Sequence, residues 1–510
     1  MKNMLHNIRF CFTAFALLVG TASCLEKYPG QAIPEDEGMR TYNDAEQHIV
    51  GIYAGLKSAA LFSGYLTLLP DIQSDFVHAA EGNSNTYGNH WQWSVRSTNA
   101  EIEAVYGSLY AVIGDCNFFL DRIDRVKANE TDDAKLDDLD LYTGEVYAIR
   151  ALCYSELLKC FCKAYDPATA AEEPGVVLRT KYFEKEPVVR ASLDASYRFV
   201  LDDLTRAEEL LSDKDEDNEA NTVFFTLAAA QALHARVALY MQEWQTAIDY
   251  STKLIEDYDF ALASAKTQVL SDGTTQFDYM WFYDQSPEVI FRVGFTATSY
   301  GGSLGTVFLN FQRDYYYFYP DYVPSQWVLD AYDSNDLRYL TYFADASNGI
   351  VIGYGNGMQW PVLVKYYGNR SLIQSMIYHV SMPKLFRLAE QYLIRAEAYC
   401  NLPTPNYSAA GKDLTALRAT RYQTGGTMNV SQENWQQQIA DERMRELYME
   451  GFRLHDLKRW HMGFERKAQR FAQQEGSTLK IEADDPRFVW PIPQHEIEAP
   501  GSQIEPNESN

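Results

Sequence analysis

The feature that most constrains this chain is a pair of helices written into residues 226–255. From Thr226 to Gln242 the apolar positions Ala230, Leu233, Val237 and Met241 recur at intervals of three and four, the spacing of one helix face. A turn at Glu243 follows, and a second stripe runs through Trp244, Ala247, Ile248, Ser251 and Ile255. A small-residue helix, a short turn and a helix opening on an aromatic is the arithmetic of a tetratricopeptide unit, with a period of about 34 residues. Such a pair cannot bury its apolar face alone, so it must stack on neighbouring pairs. An all-α body with a tetratricopeptide-like helical-pair scaffold is expected.

Helical spacing also marks residues 42–61 (with a cap at Asn43), 98–126, the stripe Val146, Ile149, Cys153, Leu157 and Cys160, then 192–211, 385–402, 409–422 and 433–460. The acidic run from Glu130 to Asp140 reads as a solvated connection. Between residues 259 and 383 the helical period fades, Gly, Tyr, Trp and Phe cluster, and short strand-like runs such as Val289–Val293 appear. Irregular structure of this length in a compact protein is usually functional. The expected organisation is therefore an N-terminal helical part at 42–258, a large irregular loop region with a few short strands at 259–383, and a C-terminal helical part at 384–510 packed on the same single body.

The first residues form a targeting segment. Lys2 and Arg9 supply positive charge, an apolar stretch covers Phe10 to Val19, and Gly20, Thr21, Ala22 and Ser23 lead to Cys24. The stretch is a signal-peptide core, too short to span a bilayer. Small residues ending on a cysteine resemble a bacterial lipoprotein signal, although Thr21 stands where that motif prefers Leu. Residues 1–23 then form the signal, Cys24 the lipid anchor, and residues 24–41 the anchor and tether. Cys116, Cys153, Cys160, Cys162 and Cys400 remain, with no CxxC pair, and are expected to be buried thiols. The 44 basic and 70 acidic residues give a net charge of −26, which excludes nucleic acid as a partner.

Several segments together resemble the SusD/RagB family of nutrient-binding lipoproteins. Glu442 to Trp460 (ERMRELYMEGFRLHDLKRW) looks like that family's C-terminal signature, followed by the ending WPIPQHEIEAPGSQIEPN from Trp490 to Asn507. The helix Arg387 to Tyr399 with its Ala396-Glu397 pair, Pro324-Ser325 followed by Asp333, Asp336, Leu337 and Arg338, and the front of the chain from Cys24 through Pro29 to the 42–56 helix also fit. The family often has Gly then Pro where Cys162 to Pro167 stand here. The resemblance implies a non-catalytic protein on the exterior of the outer membrane. It would act as a hinged lid on a TonB-dependent, SusC-like barrel transporter and bind glycans or, in some members, peptides. A bottom-up reading of the signature is structural: its charges recur at spacings of three and four, and Gly451 permits a close backbone approach or ends a helix.

Sugar rings need flat apolar faces beside planar or charged polar groups. Two stretches offer both, residues 71–96 and the aromatic-rich part of the irregular region. Trp91, Trp93, Tyr315 and Tyr317, with Trp281 beside them, are the expected faces, and Asn89 and Arg313 the polar partners. Trp327 reads as structural, and Trp360 is left undecided. No cofactor or metal is expected: there is no HExxH, phosphate loop or dinucleotide turn, and the acidic run at 213–217 lacks the glycine of a calcium loop. Gly301 to Gly305 fits G-x-S-x-G, but that elbow needs a strand before it and a helix after it, and Thr306 to Phe311 looks extended. A peptide-capturing lid and a surface helical-repeat adaptor remain the alternatives to a glycan-binding lid.

Overall fold

The computed structural model describes residues 38–183, 188–212, 219–312, 317–344 and 360–510. Cys24 and most of the tether, the acidic run at 213–217, and Arg313 and Tyr315 lie outside the described residues.

The first helix, α1 (Tyr42–Leu56), is capped by Thr41 and not by Asn43: the Thr41 side chain accepts from the Asp44 amide, and Asp44 reaches back to the cap. Then come α2 (Tyr65–Gln73), α3 (Ala100–Leu120), α4 (Asp133–Phe161), α5 (Leu193–Leu211), α6 (Leu227–Tyr240) and α7 (Trp244–Glu256). The C-terminal part supplies α8 (Leu388–Asn401), α9 (Tyr407–Arg421), α10 (Trp435–Glu446) and α11 (Arg453–Arg459). The hairpins α4/α5, α6/α7 and α8/α9 stack in order, with α5 on α6 and α7 on α8, while α1 and α3 close the other side of α4. This is the helical-pair scaffold that the spacing predicts.

Two expectations are corrected. Part of the acidic run is helix, because Asp132 caps α4 by accepting from the Ala134 amide. The 433–460 segment is two helices, broken where Gly451 takes φ +84° and lies so close to α2 that a Cβ there would meet the Leu66 carbonyl at 2.5 Å.

Among the described residues the strands form two-stranded antiparallel pairs, most of them in or against the irregular region. β1 (Val77–Ala79) pairs with β5 (Tyr322–Pro324), β2 (Val289–Arg292) with β8 (Lys384–Arg387), and β3 (Phe311–Gln312) with β4 (Tyr317–Phe318). β6 (Phe343–Ala344) pairs with β7 (Val362–Leu363), and β9 (Phe464–Glu465) with β10 (Lys480–Ile481). One apolar cluster runs from Met39 to Ile504 through the helical pairs, and a second unites α2, β1, β5 and the irregular region. Cys116, Cys153, Cys160, Cys162 and Cys400 are all buried free thiols.

A buried ion-pair network locks the irregular region onto the C-terminal signature. Glu446 accepts from Arg338 (3.1 Å), Arg387 (2.9 Å) and Arg421 (3.0 and 2.9 Å). Glu288 and Glu450 also meet Arg387, and Glu442 meets Arg338, Arg418 and Arg445. The charges that recur along the signature are thus the interior of a joint, where loss of one partner is costly. Among the described residues no helix is long and apolar enough to cross a membrane.

Candidate functional site

The two stretches singled out in the sequence meet. In the β1–β5 pair Val77 lies opposite Pro324, His78 opposite Val323, and Ala79 opposite Tyr322. Beyond β1 the chain leaves as a loop, Ala80 to Tyr87, held on one side by the irregular region. The Ala80 amide donates to the Asp321 carbonyl (2.8 Å), the Ser84 amide to the Asp321 carboxylate (2.6 Å), and the Tyr322 hydroxyl to the Thr86 carbonyl (2.6 Å). The C-terminal segment holds the other side. The Glu81 amide donates to the Phe471 carbonyl (2.9 Å), and the Asn83 amide group to the Gln473 side chain (2.7 Å).

Aromatic rings ring this loop. Gly82 has φ +77°, and a Cβ there would come within 2.4 Å of the Tyr319 hydroxyl. Trp360, half-buried, donates its indole N–H to the Pro324 carbonyl (3.0 Å), and its ring centroid lies 6.4 Å from that of Phe471. The Arg470 guanidinium sits 4.8 Å over Phe471. Ser84 and Asn85 are exposed. Asn85, Tyr87 and Trp93 all take positive φ, at 63°, 60° and 57°. Such strain in non-glycine residues persists only where surroundings impose it, and it clusters at functional sites.

Beneath the loop is a rigid floor. Trp91 is 1% exposed, donates to the Val77 carbonyl (3.2 Å) and stacks under the Arg466 guanidinium at 4.8 Å. Arg466 donates to the carbonyls of Gln73, Ser74 and Trp91, tying the end of α2 to the loop. Burial pulls this guanidinium down to about 9. Burial, with Arg466 nearby, also pulls His78 down to about 4, so its imidazole is neutral at pH 7.

Three expected ligand faces are corrected by their burial. Trp91, Trp93 and Trp281 are 1–3% exposed. A ring so enclosed offers no face to a sugar; Trp91 forms the floor, Trp93 donates to the Gln73 carbonyl between Phe464 and Phe488, and Trp281 packs under Lys365 and Lys384. Asn89 is exposed; its carbonyl accepts from the Ser94 amide (2.9 Å), and its side-chain oxygen accepts from the Ser94 hydroxyl at 3.5 Å. Tyr317 lies in β4 opposite Gln312, so its backbone flanks Tyr319. Tyr319 belongs to the aromatic-rich stretch singled out in the sequence, whereas Phe471 and Gln473 escaped the sequence reading. For the last two there was no local signal, since they reach the loop from nearly four hundred residues away. Trp327 donates to the Asp75 carbonyl (2.8 Å) and is structural, as read.

The G-x-S-x-G segment is followed by a one-turn helix, Thr306–Leu309, and not by an extended run. The Ser303 hydroxyl is bonded to Thr306 and to the His379 main-chain carbonyl, with neither a histidine ring nor a carboxylate among these partners. No group of three or more His, Cys, Asp or Glu placed to hold a metal occurs among the described residues.

Stacked helical pairs carrying an irregular, aromatic-ringed loop face define a helical-scaffold binding protein as a structural class. Comparison narrows it. The model described as "SusD family" matches residues 311–507, and that described as "Starch-binding associating with outer membrane" matches residues 31–239. The SusD-like protein P25 of Formosa agariphila is 23% identical over 491 residues, covering 87% of this chain and 88% of that one. A SusD superfamily structure from Bacteroides thetaiotaomicron superposes with a TM-score of 0.77 at 23% identity, covering 92% and 99% of the two chains. A SusD-like carbohydrate binding protein from Bacteroides vulgatus gives 0.72 at 20% (90% and 97% covered), and a laminarin binding SusD-like protein 0.67 at 20% (92% and 100% covered). The two family matches together run along most of the chain, and the fold is that of the SusD superfamily structures.

Proposed function

We propose that this protein is a non-catalytic glycan-binding lipoprotein of the outer membrane. It would be anchored through Cys24, face the exterior and act as the lid of a TonB-dependent, SusC-like barrel transporter to which it delivers oligosaccharide. The observation that carries the glycan reading is the loop Ala80–Tyr87: strained, polar and exposed at Ser84 and Asn85, and ringed by Tyr319, Trp360 and Phe471. Flat rings beside amide and guanidinium groups suit the two sides of a pyranose. The description of the 31–239 match supports the outer-membrane setting, and the laminarin- and carbohydrate-binding neighbours support the ligand class. Asn89, Arg313, Tyr315 and Tyr317 are proposed on chemical grounds as further ligand-binding residues. Also proposed is the division of labour in which residues 42–258 and 384–510 form the scaffold and 259–383 most of the binding region.

Calorimetric titration of the chain beginning after Cys24 against laminari- and malto-oligosaccharides tests this. Trp360→Ala and Tyr319→Ala should each weaken binding about tenfold, or about 1.4 kcal/mol. Binding that neither variant weakens would sink the site; silence toward glycans with binding to a peptide digest would sink the ligand class. Co-purification with a barrel transporter from membranes tests the partner.

A further inference from the structure

A small cavity of about 50 Å³ lies where the three parts of the chain meet. Phe62 and Lys159 line it from the N-terminal helical part, Trp281 and Met382 from the irregular region, and Lys384 and Glu450 from the C-terminal part. Its volume suits a few water-sized centres or one ion. The indole N–H of Trp281 is buried and has no hydrogen-bond partner among the described residues. A buried N–H left unpaired costs about 1–3 kcal/mol, so an acceptor is called for.

The surroundings say what kind. Lys365 Nζ, Lys384 Nζ and the Arg387 guanidinium stand 4.1, 4.8 and 5.4 Å from the Trp281 ring centroid, three cations on one indole in a chain of net charge −26. The carboxylates in the wall are already engaged: both Glu156 oxygens accept from Lys159 (2.9 Å), and Glu450 accepts from Lys365 and Arg387. Lys384 donates to Asp284 (2.7 Å) and to the Met382 carbonyl (3.1 Å). An ammonium has three N–H groups, so Lys159 and Lys384 each retain one with no partner among the described residues. Trp281, Lys159 and Lys384 thus each bring one N–H without a partner among the described residues to the cavity lining. Burial pulls the Lys365 ammonium down to about 8 and lowers that of Lys384 too, the direction an enclosed negative charge would oppose.

We propose that this cavity binds a monovalent anion of chloride's size, held by the Trp281 indole N–H and the Lys159 and Lys384 ammoniums, and joining the irregular region to both helical parts. A water there accepts only two hydrogen bonds, one fewer than these three donors offer.

Crystals of the chain beginning after Cys24, soaked in sodium bromide, should show an anomalous bromine peak inside the cavity beside the Trp281 nitrogen. Bromide found only on the outer surface, with water in the cavity, would overturn the proposal. In solution, replacing sodium gluconate by sodium chloride at constant ionic strength should raise the melting temperature by about 2–3 °C once chloride exceeds its dissociation constant about 100-fold. Trp281→Phe should abolish that rise; should the variant fail to fold, the bromide experiment on the natural sequence decides alone. A melting temperature indifferent to chloride would also overturn it.

Discussion

Glu446→Gln removes one charge from the centre of the joint while keeping its shape. Glu446 is fully buried and takes four hydrogen bonds from Arg338, Arg387 and Arg421. Burial alone would raise its carboxyl, but Arg421, Arg387 and Arg338 outweigh that and hold it well below the usual carboxylate range. The connected network sets six cations (Arg338, Arg387, Arg418, Arg421, Arg445 and Lys365) against five carboxylates (Asp336, Glu288, Glu442, Glu446 and Glu450). The substitution leaves six against four, with guanidiniums that no water reaches. Breaking a buried pair in this way costs about 3–5 kcal/mol. An unfolding entropy of about 2.1 cal/mol/K per residue over roughly 470 residues gives about 1 kcal/mol/K, so the melting temperature should fall by about 3–5 °C. Thermal unfolding at pH 7 followed by circular dichroism measures it. Glu482→Gln, which breaks an exposed pair with Lys480, serves as control and should leave the transition where it is. A fall below 1 °C for Glu446→Gln would show that the network is not held by its charge balance, and the reasoning would fail.

Glu442, buried among Arg338, Arg445 and Arg418, has its carboxyl lowered to about 2 against the burial that opposes them. A depressed folded value means stability present above the unfolded value near 4.5 and lost as pH falls from there to about 2, on the order of 3 kcal/mol; melting curves between pH 5 and 2 should flatten in Glu442→Gln. Gly82→Ala sets a Cβ against the Tyr319 hydroxyl at a φ of +77°, so ligand affinity should drop about tenfold in calorimetric titration. An unchanged affinity would remove Tyr319 from the site. Trp91→Ala deletes a floor residue and should cost about 3–5 kcal/mol of stability, whereas Trp360→Ala should cost affinity first; melting and titration of both variants separate floor from face.

The helical scaffold was legible because its period is local. The stripes of α6 and α7 lie within thirty residues, and their stacking follows from apolar faces that one pair cannot cover. Local spacing ran helix through 433–460, although Gly451 already read as a close backbone approach or a helix end; what the spacing left unnamed was the distant neighbour. Gly451 breaks the signature because its backbone must fit against Leu66 of α2, a residue some four hundred positions earlier. Residues 133–140 of the acidic run became helix because a cap at Asp132 and the long partner α5 outweigh their acidity.

The site was half legible for a related reason. Chemistry alone singled out residues 71–96 and the aromatic-rich part of the irregular region as two stretches, and the β1–β5 pair brings them together. Which aromatics stay exposed is a different question, decided by the direction each side chain takes from its backbone. Trp91 lies beyond two left-handed positions, Asn85 and Tyr87, and its indole donates inward to the Val77 carbonyl. Trp93 is itself left-handed and turns toward Gln73. A tryptophan inside a polar loop is thus ambiguous by composition: the indole N–H that would reach a sugar hydroxyl serves equally to reach a buried carbonyl. The loop's strain and the rings of Tyr319 and Phe471, brought by tertiary contact, distinguish floor from face. The strained residues themselves, Asn85 above all, are accordingly the positions at which substitution should change binding more than stability.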